Sequence, residues 1–353
     1  MAAAGARNLI TDVAGILVGQ AEDPEDHTGT TVVLAEKPAV AAVDVRGGAP
    51  GTRETELLAA DALVDRIDAV VLSGGSAFGL DAAAGVMDWL AAQGRGFAVG
   101  ARLRGQALRV PIVPAAILFD LAFPGRSLWS GEPPYRALGR RAAAAAAADF
   151  ALGNAGAGFG ARAGRLKGGI GSASSCLGGG ATLGAIVAVN SWGSAVRPDC
   201  GRFWAAELAF AGELDPQPAT PDAPLDPEDF SQCGRDVVGG NTTIAVVATD
   251  ATLDKGGCRR LAIMAQSGLA RAIRPLHTPF DGDCVFALAT GAGPPAAPEL
   301  VLRLGAAAAD CLARAVMRAL TAAEPLAGIS SWRQRYGRPP GGGMRESNPA
   351  TRA

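Results

Sequence analysis

The stretch "VVGGNTTIAVVATDATLDK", residues 237–255, decides how this chain is read. Its middle, from Thr242 to Asp250, is β-branched and apolar, with no charge before Asp250, and predicts a buried strand. Two glycines and an amide, Gly239, Gly240 and Asn241, lead straight into Thr242 and Thr243. A core strand that opens on a flexible turn and a hydroxyl suggests chemistry at its first residue. A threonine nucleophile needs a base. If the Asn241–Thr242 bond is cut, the new α-amino group of Thr242, with a reference pKa of about 7.7–8.0, supplies one on the same residue. The β-branch limits the Thr242 side-chain torsion and holds the hydroxyl in place. The glycines leave the turn free to strain.

The rest of the composition agrees with that economy. The 353 residues contain two histidines, His27 and His277, so a histidine-rich metal site within one chain is excluded. With 49% hydrophobic and 19% charged residues, a large core is expected. A net charge of −2 argues against a nucleic-acid binder with a broad basic face. Apolar runs break before the ~18–20 residues that a membrane span requires, and no secretory leader is read, so the expected location is the cytoplasm. The six cysteines form no CxxC pair and are expected to be reduced. No cofactor is expected.

Outward from the central strand, 29–36 and 39–48 read as two strands joined by a turn at Lys37 and Pro38. Residues 68–79 read as a strand ending in a glycine turn, with a helix after it to Gly94. "VPIVPAAILFDL" (110–121) reads as a proline-edged bent or edge segment. "RALGRRAAAAAAADF" is a strong helix former. Residues 153–193 are Gly/Ser-rich and end in the strand "ATLGAIVAVN". No acid occurs from 151 to 198, whereas Arg162, Arg165, Lys167 and Arg197 do, which suggests an anion- or oxyanion-facing surface. Pro-rich, acidic 213–236 reads as a solvated loop. A helix at about 253–273, a strand at 283–291 and a helix at 298–320 close a single catalytic domain, 1–330. The remainder, 331–353, reads as a disordered tail.

Three other motifs compete. "GAGFGARAG" fits G-x-G-x-x-A, but no acid follows at the spacing a dinucleotide ribose needs. "SGGSAFG" places the glycine after Ser76 one residue too late for a nucleophile elbow, and a helix-capping role is preferred. "HTPFDGDCVF" sets Asp281 and Asp283 around Gly282, either as a plain turn or as two carboxylates facing one site.

Taken together, "TDVAGILVGQAED", "AVDVRGGAPGTRET", "VLSGGSAFGLDAAAGV", "VPIVPAAILFDL", "GAGFGARAGRLKGGIGSAS", "AIVAVNSWG", "GGNTTIAVVATDA" and "RAIRPLHTPFDGDCVFALATG" run in family order over about residues 8–320. They resemble the self-processing L-aminopeptidase/D-esterase family, which includes β-peptidyl aminopeptidases and 6-aminohexanoate-oligomer endohydrolases. The resemblance implies an α/β, four-layer αββα sandwich, laid out like the N-terminal-nucleophile hydrolases but connected differently. It implies self-cleavage at Asn241–Thr242 into a large segment, 1–241, and a small one from 242. The catalytic residues it implies are Thr242, Lys167 in "GRLKGG", Asn190 in "VAVN", and the acidic pair Asp281 and Asp283. Lys167 would stabilise negative charge or lower the amine pKa. Asn190 and the glycine-loop N–H groups would stabilise the oxyanion. Gly168, Gly169, Thr243 and Phe119 are expected on the substrate side. Related enzymes are often tetramers, so a homo-oligomer is expected, acting on small peptides or amides. The chain departs from the pattern at Phe119, where several members carry a tyrosine, so their substrates cannot be copied across. The alternatives are an acyltransferase of the ornithine acetyltransferase type and an unprocessed protein binding a small anion.

Overall fold

The computed structural model describes residues 3–103, 105–126, 129–222, 224–234 and 240–337. Nine strands form one continuous sheet: β1 (Ile16–Asp23), β2 (Thr28–Val45), β3 (Thr52–Arg53), β4 (Arg66–Ser73), β5 (Ala115–Ile117), β6 (Gly169–Cys176), β7 (Thr182–Asn190), β8 (Thr242–Thr249) and β9 (Cys284–Ala289). Their order is β6-β7-β8-β9-β2-β4-β5-β3, with β1 also on β2. Pairing is antiparallel except β8 with β9 and β4 with β5. Residues 97–103 and 106–110 make a separate hairpin, so the 110–121 segment is split between that hairpin and β5.

The sheet is folded over on itself, and β2 is the fold line. Its odd residues Val33, Ala35, Ala39, Ala41 and Val43 all enter one core, shared with Ile186, Ile244, Val246 and Phe286. Its even residues divide. Val32 and Leu34 join a second core with α1 (Ala82–Ala92) and α2 (Tyr135–Ala144). Val40 and Ala42 join a third with α3 (Lys255–Ala272) and α4 (Pro298–Ala322). Three cores separate four layers: helices, sheet, sheet, helices. The expected four-layer α/β architecture is therefore present, built from a single bent sheet.

The reading of 29–48 as two strands joined by a turn is corrected. One strand runs through, with its irregularity between Leu34 and Ala39, while Glu36, Lys37 and Pro38 are exposed. Both halves pair with β4, so the chain bends and does not reverse. Strand β8 carries apolar residues on both faces because both are buried: Ile244, Val246 and Ala248 inward, Ala245 and Val247 against α3 and α4. A parallel partner requires a crossover. Here α3 provides it, started by the Asp254 carboxylate accepting the Gly257 N–H at 2.7 Å.

The tail expectation is corrected at its beginning. Residues 332–336 form a short helix, α5, whose Trp332 is fully buried, stacks on Phe203 and donates its indole N–H to the Gly201 carbonyl at 2.9 Å. Residues 338–353 lie outside the described residues. No helix among the described residues is long and apolar enough to cross a membrane.

Candidate functional site

Thr242 is the first residue of β8 and lies opposite Asn190, the last residue of β7. Side chains alternate along a strand. Thr242 therefore shares a face with Ile244 and points between the two sheet layers. At this end of the inter-sheet space a pocket opens, lined by Phe119, Phe123, Gly160, Arg162, Asn190 and Asn241. Thr242 itself is 3% exposed.

The peptide carbonyl of Asn241 is held by two donors. The Thr242 hydroxyl donates to it, and so does the Gly282 N–H, at 3.1 Å. Gly282 must be glycine here: a Cβ would lie 2.6 Å from the Ala49 carbonyl oxygen and 2.8 Å from the Thr242 hydroxyl. In the sequence Gly282 stands out only as the residue between two acids.

Asn190 bridges the two sides of the pocket. Its Oδ1 accepts the Arg162 N–H at 2.8 Å, and its Nδ2 donates to the Phe119 carbonyl at 3.0 Å and, at a longer 3.4 Å, to the Gly240 carbonyl. Phe119 is half-buried and lines the pocket. Its neighbour Asp120, buried, accepts from the Thr28 hydroxyl at 2.6 Å and the Gly75 N–H at 2.8 Å, and pairs with Arg126 at 3.0 Å. The "SGGSAFG" turn is thus tied to Asp120. Ser76, at φ 51°, makes no capping bond, so the capping expectation is corrected.

Lys167 is fully buried. Its ammonium donates to the Gly158 carbonyl at 2.9 Å and the Gly168 carbonyl at 3.0 Å, and lies 5.9 Å from the centre of the Phe123 ring. Burial lowers its pKa to about 7, against a partial opposing effect of the Asp120 charge. Its bonds go to neither Thr242 nor Asn241.

The two acids hold backbone around the Asn241–Thr242 bond. Asp283 accepts the Thr243 N–H at 2.7 Å, and its other oxygen takes the His277 N–H at 3.1 Å and ring Nδ1 at 2.9 Å. Asp281 accepts the Trp192 N–H at 3.1 Å, the Thr278 N–H at 3.0 Å and the Thr278 hydroxyl at 2.5 Å. Burial first, and the Asp283 charge second, push the Asp281 carboxyl above its usual range. Neither acid bonds Thr242 itself. Thr243 is held through its backbone, and its buried hydroxyl has no partner among the described residues.

The glycine-loop expectation needs correction. The Gly168 N–H is taken by the Ala161 carbonyl at 2.9 Å, and a Cβ on Gly168 would meet the Val189 carbonyl at 2.0 Å. Gly169 opens β6, where a Cβ would lie 2.8 Å from the Gly153 carbonyl. These glycines allow close backbone packing, and neither lines the pocket. Among the described residues, no group of His, Cys, Asp and Glu is arranged to hold a metal ion.

Two facing sheet layers clad by helices give the chain the layout of the Ntn-hydrolase fold. It superposes on the solved L-aminopeptidase D-Ala-esterase/amidase of Ochrobactrum anthropi, described as a variant of that fold, with TM-score 0.66 and 22% identity over 91% of this chain and 88% of that one. The model of peptidase family S58 matches residues 8–333, and the chain belongs to that family. It is thus a hydrolase of the peptidase class. An uncharacterised aminopeptidase of Mycobacterium tuberculosis is 49% identical over 93% of this chain and 98% of its own. The 6-aminohexanoate-oligomer endohydrolase of Paenarthrobacter ureafaciens is 31% identical over 81% and 76%. A Burkholderia β-aminopeptidase structure matches with TM-score 0.65 and 25% identity, over 95% and 94% of the two chains.

Proposed function

We propose that the protein is a self-processing amidohydrolase whose nucleophile is Thr242, freed as an N-terminal residue by cleavage of Asn241–Thr242. The observation that carries this reading is the Asn241 carbonyl. It takes the Gly282 N–H and the Thr242 hydroxyl together, at the mouth of a pocket.

In maturation the Thr242 hydroxyl oxygen attacks the Asn241 carbonyl carbon. Negative charge collects on the carbonyl oxygen, where the Gly282 N–H already lies. The C–N bond breaks, the hydroxyl proton ends on the released amine, and an ester remains. Water hydrolyses it to the Asn241 carboxylate and a free Thr242 hydroxyl. In turnover the substrate carbonyl takes the position of the Asn241 carbonyl, and the Thr242 amine accepts the hydroxyl proton as the hydroxyl oxygen attacks. The substrate C–N bond breaks with that proton passing to the leaving amine, and water then hydrolyses the acyl-enzyme to the product acid and free Thr242. Asn190 is positioned to donate to that acyl group once Gly240 has left. Lys167 supplies positive potential behind the site, and Asp281 and Asp283 fix the backbone that carries Thr242 and Gly282. The substrates are amide bonds of small peptides, amino-acid amides or oligomers, in line with the activities named for the relatives.

Intact mass of freshly purified wild type beside Thr242→Ala tests the reading. Wild type gives two fragments of roughly 24 and 11 kDa, in proportion to 1–241 and 242–353 of a 35.4 kDa whole, and the variant gives one chain. A single full-length chain in both samples overturns the reading.

A further inference from the structure

We propose that His277 is a positioning residue for the Thr242 chemistry, acting through Asp283; this rests on the self-processing reading above. Asp283 is completely buried and cannot turn to water for its hydrogen bonds. One of its oxygens holds the Thr243 N–H at 2.7 Å, one residue beyond the nucleophile and just before the β8–β9 ladder begins at Ile244 and Cys284. That carboxylate stands in for the partner that Thr243 lacks on the β9 side of its strand. The other oxygen receives both of its donors from His277, the backbone N–H at 3.1 Å and Nδ1 at 2.9 Å. Facing a carboxylate, Nδ1 is the nitrogen that carries the hydrogen.

His277 adopts φ 54°, a left-handed conformation uncommon for a residue with a side chain. A local conformational cost at a site is retained only where the surroundings over-determine it. Here the conformation accompanies the convergence of a residue's own N–H and ring on one oxygen. Without the ring, the buried carboxylate keeps only its two backbone donors and is held less firmly. The grip on Thr243, and with it the placement of Thr242 beneath the Asn241 carbonyl, loosens. Thr278 and Asp281, on the same turn, are committed to each other, with Asp281 also holding Trp192. They cannot replace the ring.

Two variants separate the ring from the backbone. His277→Gly suits the left-handed backbone and deletes only the ring, so it should melt within a few degrees of wild type while cleaving itself at least about tenfold more slowly. His277→Asn also tolerates this conformation, and its amide N–H reaches where Nδ1 was, so it should recover self-cleavage to within a few-fold of wild type. Rates are followed as fragment formation after a pulse of cell-free synthesis, which starts wild type and variants alike as uncut chains. Equal rates for wild type and His277→Gly overturn the role of His277, as does a failure of His277→Asn to exceed His277→Gly. A wild type that never cleaves removes the self-processing reading and this inference together, whereas a wild type that cleaves beside an equally fast His277→Gly removes only the inference.

Discussion

Asn190 and Thr242 face each other directly across the β7–β8 ladder, each at the end of its strand where the inter-sheet space opens to the pocket. The amide of Asn190 reaches the Gly240 and Phe119 carbonyls while its oxygen holds the Arg162 N–H. The residue opposite Thr242 thus touches both the segment that precedes Thr242 and the pocket wall.

Asn190→Asp keeps the acceptor for Arg162 and removes the donor. The second oxygen would then confront the Phe119 and Gly240 carbonyls. Loss of one well-placed donor to a developing oxyanion typically slows a reaction by ~100–1000-fold. Hydrolysis of a small amide substrate by the cleaved protein, in which Asn190 is freed to donate once Gly240 has left, should slow by about that factor, with the chain still folded. Turnover within a few-fold of wild type would remove Asn190 from the mechanism.

Gly282→Ala tests the donor on the Asn241 carbonyl. The new methyl would lie 2.8 Å from the Thr242 hydroxyl and 2.6 Å from the Ala49 carbonyl. Either the turn moves, taking its N–H off the Asn241 carbonyl, or Thr242 moves. Both routes should slow self-cleavage by at least about tenfold, the lower range for losing an oriented catalytic contact. A variant that folds and cleaves at the wild-type rate would show that Gly282 is merely a turn residue.

Lys167 should leave a mark on stability as a function of pH. Its ordinary pKa is 10.5 and burial brings it to about 7. Below about pH 7 the proton is bound in both folded and unfolded states, so the cost of burying the charge is fully present. Between there and 10.5 the unfolded chain binds more protons than the folded one, so this group makes the fold more stable as pH rises. Lys167→Met removes that contribution. Melting temperatures of wild type and variant should differ most in the variant's favour at pH 6 and shift against the variant as pH rises toward 9. Curves that run parallel across this range would mean that Lys167 titrates elsewhere.

The parts of the site that could be read from sequence are those written locally. Thr242 is marked by an apolar strand beginning at a hydroxyl after two glycines, and Asp281 and Asp283 flank one glycine. The continuity of β2 was hidden because "EKP" has the composition of a turn. What keeps the strand running is pairing of both halves with β4, a contact distant in sequence. Gly282 meets Asn241 at a distance set by the β8–β9 pairing, and His277 meets Asp283 through the shape of the turn before β9, and no spacing rule encodes either. Trp332 reads as part of a tail because Gly, Pro and Arg surround it. Its burial depends on Phe203 and Gly201, more than a hundred residues earlier.

That last contact predicts how the two segments hold together after the cut. β8 belongs to the small segment yet lies between β7 of the large segment and β9, and β9 pairs with β2 of the large segment. Arg314 of the small segment is buried against Glu213 and Asn8 of the large one. Trp332 stacks on Phe203 with ring centres 4.8 Å apart. Separating the segments would expose every one of these surfaces. The fragments should therefore co-elute on gel filtration without denaturant. Trp332→Ala, at about 3–5 kcal/mol for a buried Trp, should lower the melting temperature of the cleaved protein by roughly 5–15 °C without separating the fragments, because the strand pairing is untouched. Fragments that part on a native column would show instead that β8 and β9 leave the sheet once the Asn241–Thr242 bond is broken.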